Sequence, residues 1–158
     1  MAVDVFLKIK GIPGESADSK HKGEIDVLSY SFGQSQTGTM AYGGGGGAGK
    51  VQFQDFSFMM RMSKATPKLM QACSNGTHIA DAVLTARKAG DKQHEYMVYK
   101  FYDLLISSYQ TSASSEEPVE SVSFNFSKME MEYKEQDSKG NLGGSTMFKY
   151  NLKENKSY

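Results

Sequence analysis

Apolar and polar residues alternate along most of this chain, and this alternation predicts β-strands. Every second residue from Val3 to Ile9 is apolar, which places these side chains on one face of a first strand. A polar loop follows, and a second strand is predicted from about residue 24 to residue 36. Further strands are predicted near residues 80–88, 94–103, 106–111 and 147–153. The pattern indicates a predominantly β fold.

The buried face changes partway along three of the predicted stretches. The parity of the apolar positions shifts between Val27 and Leu28, between Phe53 and Phe56, and between Phe126 and Met129. A pleated strand cannot change its buried face without an extra residue or a sharp bend. Long, bulged and strongly curved strands of this kind fold a sheet over on itself. The expected architecture is therefore a curved β-barrel of two sheets.

One short helix is predicted beside the barrel. Thr66 is a suitable N-cap, and Pro67 fits the first helical position, where a missing N–H costs no hydrogen bond. Leu69, Met70 and Cys73 share one face of this helix, and Asn75-Gly76 supplies a left-handed stop. Because so short a helix is marginal alone, its apolar face must dock on the sheets.

The composition fits one globular domain. The chain has 158 residues, and its 18 Lys and Arg balance its 18 Asp and Glu. This neutral balance argues against a nucleic-acid-binding protein, which needs a basic surplus. A single cysteine, Cys73, cannot form an internal disulfide. The first residues form neither a secretory signal nor a membrane span, so we expect a protein that folds in the cytosol without membrane insertion.

A glycine-rich tract interrupts the alternation and has the spacing of a phosphate-binding loop. Gly44 is followed after four residues by Gly49 and Lys50, but Val51 stands where such a loop needs Ser or Thr. An alternating strand follows, instead of a helix whose N–H groups would face a phosphate. A long, flexible loop that projects from the body is the simpler interpretation.

No set of residues forms a convincing catalytic or metal site. Cys73 could act as a nucleophile with one of the three histidines as its base, although its place on an apolar helix face favours a packed core cysteine. The start of a helical zinc motif at His94 lacks its second histidine, because Val98 occupies that position. We therefore predict no catalytic residue, no cofactor and no metal.

The carboxylates cluster in two places, and both clusters are predicted to be solvated. Glu116, Glu117 and Glu120 lie in a Ser-rich loop that contains a proline. Glu130 and Glu132 alternate with apolar residues, which predicts that they lie on the solvent-exposed face of a strand. A solvated face is a simpler interpretation than an acid–base pair.

Two predicted strands carry small, uncharged residues opposite their apolar face. These residues are Ser29, Ser31, Gly33 and Ser35 on one strand and Ser121, Ser123, Asn125 and Ser127 on the other. The other polar faces of the chain are rich in charge. An ordinary solvent-exposed face of a sheet is one interpretation. A smooth polar wall that lines an enclosed space, or that another chain approaches, is the other.

Residues 1–9, 14–16, 24–33, 43–50, 51–58, 66–73 and 87–90 together resemble one known family. In the same order along the chain, these segments are similar to the haemolysin-coregulated protein (Hcp) family of bacterial type VI secretion systems. The resemblance covers nearly the whole chain, which makes it more specific than any single motif.

This resemblance implies a fold, an assembly and a role. Hcp proteins form a curved β-barrel of two sheets with one flanking helix, and their copies assemble into a hexameric ring with an open lumen. Rings stack into a tube inside a contractile sheath, and the tube, tipped by a spike protein, is fired into a neighbouring cell. The lumen also binds and chaperones small effector proteins.

The resemblance implies no enzymatic activity unless an effector domain is fused at the C-terminus. Tyr158 comes just past the last predicted strand. We therefore expect a single domain over residues 1–158 without such an extension.

The resemblance also assigns two sets of residues. Ser31, and with it Ser29, matches the segment that faces the lumen and contacts cargo. The extended loop, which reaches toward the next subunit or ring, matches Gly43, Gly44, Gly45, Gly46, Gly47, Ala48, Gly49 and Lys50. The alternatives are a monomeric β-barrel that binds a small ligand and a hydrolase that depends on Cys73.

Overall fold

The computed structural model describes residues 3–38, 49–88, 93–137, 139 and 141–158. The fold is mainly β, with 58% of residues in strands and one short helix in the described part of the chain. The elements are β1 (Val3–Ile9), β2 (Ile25–Asp26), β3 (Ser29–Ser31), β4 (Gln34–Gln36), β5 (Val51–Phe53), β6 (Phe56–Arg61), α1 (Ala65–Asn75), β7 (Ile79–Lys88), β8 (Glu95–Ser112), β9 (Val119–Asn125), β10 (Lys128–Gln136), β11 (Leu142–Asn151) and β12 (Lys156–Ser157).

The strands form two antiparallel sheets that share one long strand. The first sheet has the order β12-β11-β10-β8-β7-β1-β2, and the second joins β3, β6 and β9 to the later half of β8. Because β8 belongs to both, the sheets are one continuous layer that folds over on itself. Strands β4 and β5 form a separate two-stranded ribbon. The predicted barrel of two sheets is confirmed, although it is not closed, and β2 and β12 form the margins of the first sheet.

The bend in β8 lies at Asp103, whose φ of 55° is in the left-handed region. Pairing of β8 with β10 ends at Tyr102, and pairing with β9 begins at Leu105. The Ser127 hydroxyl donates to one Asp103 carboxylate oxygen at 2.7 Å, and His78 Nε2 lies 3.0 Å from the other oxygen. These contacts lower the pKa of Asp103. They also hold this residue in a backbone conformation that is unusual outside glycine.

Long strands with register shifts are present, but the predicted changes of buried parity do not lie within them. The three changes of buried parity fall between separate strands, namely between β2 and β3, between β5 and β6, and between β9 and β10. A break in the chain changes the buried face as effectively as a bulge does, because the next strand starts with its own parity. The two strands predicted over residues 94–103 and 106–111 are one strand, β8, with a register shift between Ile106 and Ser108.

The helix begins one residue before the predicted N-cap. Helix α1 starts at Ala65, so Thr66 lies in its first turn, and Ser63 Oγ accepts the Ala65 N–H at 3.2 Å. Thr66 is not the N-cap because it already lies inside the helix, where its hydroxyl accepts the Ser63 N–H at 3.1 Å and donates to Glu120 of the second sheet. Gly76 ends the helix with a φ of 61°, as predicted. The place predicted for Met70 on the apolar face is wrong: its side chain is exposed, because Leu69 and Ala72 form the buried face.

Aromatic side chains fill the space between the two sheets. Phe56 and Phe124 of the second sheet and Phe101 of the first are fully buried. The ring centres of Phe101 and Phe124 lie 5.1 Å apart, and those of Phe56 and Phe124 lie 5.2 Å apart. Burial of one such side chain stabilises a fold by about 1.5–3 kcal/mol. The packing of these aromatic side chains holds the two sheets together. The same side chains fill the interior, where a ligand-binding barrel would hold its ligand.

Candidate functional site

The outward face of the second sheet carries mainly serine residues. Register places Ser31, Ser57, Ser123 and Ser108 side by side on its four strands. The next row contains Ser29, Met59, Ser121 and Gln110. We call these two rows the polar wall: Ser29, Ser31, Ser57, Met59, Ser108, Gln110, Ser121 and Ser123. The wall exists because side chains alternate between the two faces of β6 and β9, so that buried residues on the inner face are separated by Ser57, Met59, Ser121 and Ser123 on the outward face.

Hydroxyl groups at one end of the wall bond to each other. Ser123 Oγ lies 2.6 Å from Ser108 Oγ and 2.8 Å from Ser107 Oγ. Ser107 in turn donates to Asp55 Oδ2 at 2.6 Å. At the other end, the exposed hydroxyls of Ser29 and Ser31 have no hydrogen bond among the described residues. These two hydroxyls are free to bind water or another molecule.

None of the wall residues carries a charge, and only Met59 is apolar. The Met59 side chain is exposed, beside Ser29 and Ser121. An ion pair between Arg61 and Glu117, with an N–O distance of 3.7 Å, lies beyond the second row. The surface therefore offers hydroxyl and amide groups without a strong field of either sign.

A buried carboxylate lies directly beneath the wall. Glu120 is 0% exposed and points from β9 to the inner side of the sheet. Thr66 Oγ1 donates to it at 2.5 Å, and the Tyr109 hydroxyl also donates to it. Burial and the bond to Glu120 raise the pKa of Tyr109 to about 12. Glu120 thus ties the first turn of α1 to the strand that carries Ser121 and Ser123.

The predicted solvated loop position of Glu120 is wrong. Strand β9 starts at Val119, so alternation places Glu120 on the inner face with Val122 and Phe124. The solvent-exposed position predicted for Glu130 is also only partly right. Its half-buried carboxylate accepts hydrogen bonds from Tyr102, at 3.2 Å, and from Tyr158, at 2.8 Å.

The structure brings together two polar faces that the sequence shows separately. Ser29 and Ser31 lie on β3, and Ser121 and Ser123 lie on β9, with β6 between these strands. Sequence reasoning missed Ser57 and the other members contributed by β6 and β8. The alternation of Ser57 with Phe56 and Phe58 is a signal that could have found it.

The other predicted polar residues lie elsewhere. Ser35 belongs to the separate β4–β5 ribbon, and Ser127 bonds to Asp103 at the bend of β8. Of the predicted extended loop, Gly43, Gly44, Gly45, Gly46, Gly47 and Ala48 lie outside the described residues. Gly49 and Lys50 are exposed and lead into strand β5 instead of a helix.

Two of the three histidines considered for catalysis or metal binding, His21 and His78, have carboxylate partners. Cys73 is half-buried in α1. His21 lies between two carboxylates, with Glu24 at 2.9 Å and Glu95 at 2.7 Å. No group of His, Cys, Asp and Glu among the described residues could hold a metal ion. Helix α1, the one helix in the described ranges, is too short and too polar to cross a membrane.

Comparison with known proteins shows the family. The profile of a family described as "Type VI secretion system effector, Hcp" matches residues 6–133. The chain therefore belongs to the Hcp family of type VI secretion proteins, and the resemblance drawn from the sequence is confirmed. Hcp proteins are secreted structural components, and the family is not known for enzymatic activity.

Individual relatives match over nearly their whole length. Protein hcp1 of Pseudomonas aeruginosa is 46% identical over 159 residues, which cover 98% of each chain. Among solved structures, Hcp1 from Salmonella typhimurium has 38% identity and a TM-score of 0.84 over 100% of both chains. A structure described as a type six secretion system protein has 30% identity and a TM-score of 0.93, with 99% of this chain and 100% of that chain covered.

Proposed function

We propose that this protein is the tube subunit of a type VI secretion system. In this proposal six copies close into a ring, rings stack into the secreted inner tube, and the polar wall lines the lumen. The lumen binds effector proteins and chaperones them until delivery. The observation that carries the proposal is the row of serines across four strands in a chain of the Hcp family.

The chemistry of the wall suits a surface that must hold different cargo proteins. A serine hydroxyl both donates and accepts hydrogen bonds, so it pairs with many polar groups. A wall without charge does not select cargo by its net charge. Ser31 and Ser29 have exposed hydroxyls without protein partners among the described residues, and we assign them the direct contact with cargo.

Ring closure would also cover the two strand edges that the single chain leaves exposed. The first sheet has margins at β2 and β12, and exposed strand edges pair readily with other chains. A head-to-tail contact, repeated around an axis, would bring one margin against the other and cover both. In this proposal the whole chain, 1–158, is a single domain that needs no cofactor.

The remaining partners follow from the same proposal. A spike protein would tip the tube, and contractile sheath proteins would surround it. The machine itself would export the protein, without a cleavable signal peptide. The loop that includes Gly43 to Lys50 would contact the next subunit or ring.

A substitution in the wall tests the cargo assignment. Ser31→Gln adds bulk on the lumen side, so rings should stay intact while less effector co-purifies with them. Ser114→Gln makes the same change at an exposed position between β8 and β9, outside the wall, and should leave effector retention unchanged. Unchanged effector retention by Ser31→Gln rings would contradict the assignment.

A shortened loop tests the stacking assignment. Deletion of residues 44–47 should impair tube formation and leave the melting temperature unchanged. Tubes of normal length from a variant of normal thermal stability would contradict it.

A further inference from the structure

The outer face of the first sheet has opposite charge at its two ends. Cross-strand register groups lysines toward one end of the strands. They lie in two neighbouring rows on the side of the sheet away from the aromatic core. We call this group the basic end: Lys8, Lys10, Lys100, Lys128, Lys149 and Lys156. Asp81 and Glu130 lie within the same rows, and Glu154 pairs with Lys156 at 3.2 Å, so six lysines stand against three carboxylates.

Carboxylates dominate the other end of the same face. The next two rows contain what we call the acidic end: Asp4, Asp26, Glu95 and Glu132. Asp18 adds a further carboxylate, because it bonds Arg87 together with Asp4. With Arg87 and Lys134 as its cations, this end carries an excess of negative charge. The chain is neutral overall and strongly polarised along its strands.

Asp26 is the member of the acidic end that lacks a partner. It is exposed on the edge strand β2, and it has no ion pair within the described ranges. Its pKa is raised by partial burial and by the nearby negative charges of Asp4 and Asp18. A cation supplied from outside the chain would relieve this repulsion.

In the proposed ring, neither the basic end nor the acidic end takes part in the contact that closes the ring. The lateral margins β2 and β12 would close the ring, so the two ends of the strands would face neighbouring rings. We propose that rings stack head to tail because the basic end of one copy docks on the acidic end of a second copy. The inference rests on the proposed ring and names the surfaces that join one ring to the next. Such a contact is heterologous and does not close, so it extends without limit.

Two charge-reversed variants test this contact. Asp26→Lys with Glu132→Lys makes both ends basic, and Lys8→Glu with Lys10→Glu and Lys100→Glu makes both ends acidic. All five side chains are on the outer face and away from the polar wall. Lys8→Arg with Lys10→Arg and Lys100→Arg keeps the charge and serves as the matched control.

Stacking of purified rings is measured by sedimentation and negative-stain imaging at low salt. Each reversed variant should form rings that do not stack, while the Arg control stacks like the unmodified protein. An equal mixture of the two reversed variants should stack again, because each contact would then join a basic end to an acidic end. Stacking of the unmodified rings should also weaken with salt, since the screening length falls from about 10 Å at 0.1 M to about 3 Å at 1 M.

The possible outcomes separate this inference from the proposed function. The charge contact would be overturned if either reversed variant stacked alone, or if both variants formed intact rings and their mixture did not stack. Either result would leave the proposed ring unaffected. Absence of rings from the unmodified protein would overturn the proposed function and this inference together.

Discussion

The hydroxyl of Thr66 joins the helix to the buried carboxylate beneath the polar wall, and its removal should destabilise the fold measurably. Thr66 is 5% exposed, and its hydroxyl donates to Glu120 at 2.5 Å and accepts the Ser63 N–H at 3.1 Å. Thr66→Val keeps the shape and removes both bonds. A typical hydrogen bond contributes about 1 kcal/mol, and a buried acceptor that loses its donor costs about 1–3 kcal/mol. We expect the free energy of unfolding to fall by about 2–4 kcal/mol.

The assay is urea unfolding at one fixed protein concentration, because association makes apparent stability depend on concentration. Thr77→Val is the matched control, since Thr77 is exposed and its side chain has no hydrogen bond in the described structure. Tyr109→Phe removes the second donor to Glu120 and should cost a similar amount. A Thr66→Val protein within about 0.5 kcal/mol of the Thr77→Val control would refute the role assigned to this bond.

Two further predictions concern acid stability and close packing. The hydrogen bond from Arg87 lowers the pKa of Asp18 from 3.8 to about 2, so ionised Asp18 favours the folded state. Its contribution is complete above pH 3.8 and is lost as the pH falls toward 2. Asp18→Asn should therefore flatten the fall in melting temperature over this range, and an unchanged profile would contradict the prediction. Gly14→Ala would place a Cβ 2.5 Å from the Glu24 carbonyl oxygen, whereas a Cβ at Gly144 meets nothing within 4 Å. We expect Gly14→Ala to lose about 1–3 kcal/mol relative to Gly144→Ala, and equal melting temperatures would refute this.

Alternation and turn chemistry were sufficient to predict most elements of the fold. The strand near residues 80–88 is β7, and Gly76 ends the helix because its φ of 61° suits a residue without a Cβ. The continuity of β8 was not predictable in the same way. Its bend at Asp103 is held by Ser127 and His78, which are distant in sequence. Only the tertiary structure brings these three residues together.

The candidate site was predictable in part for a similar reason. Ser29 and Ser31 stand out because they are small and uncharged opposite an apolar face. Their place in a row with Ser123 depends on the register of β6 with both neighbours, which no local pattern specifies. The burial of Glu120 depends on where β9 begins, and a shift of one residue would expose it.

The central claim is that copies of this chain close into a ring around an open, polar lumen. Negative-stain electron microscopy of the purified protein, together with a mass measurement in solution, tests it most directly. We predict six-fold rings with an open centre and a mass of about 104 kDa, as expected for six copies of a 17.4 kDa chain. Compact single subunits that persist at high protein concentration would contradict the claim.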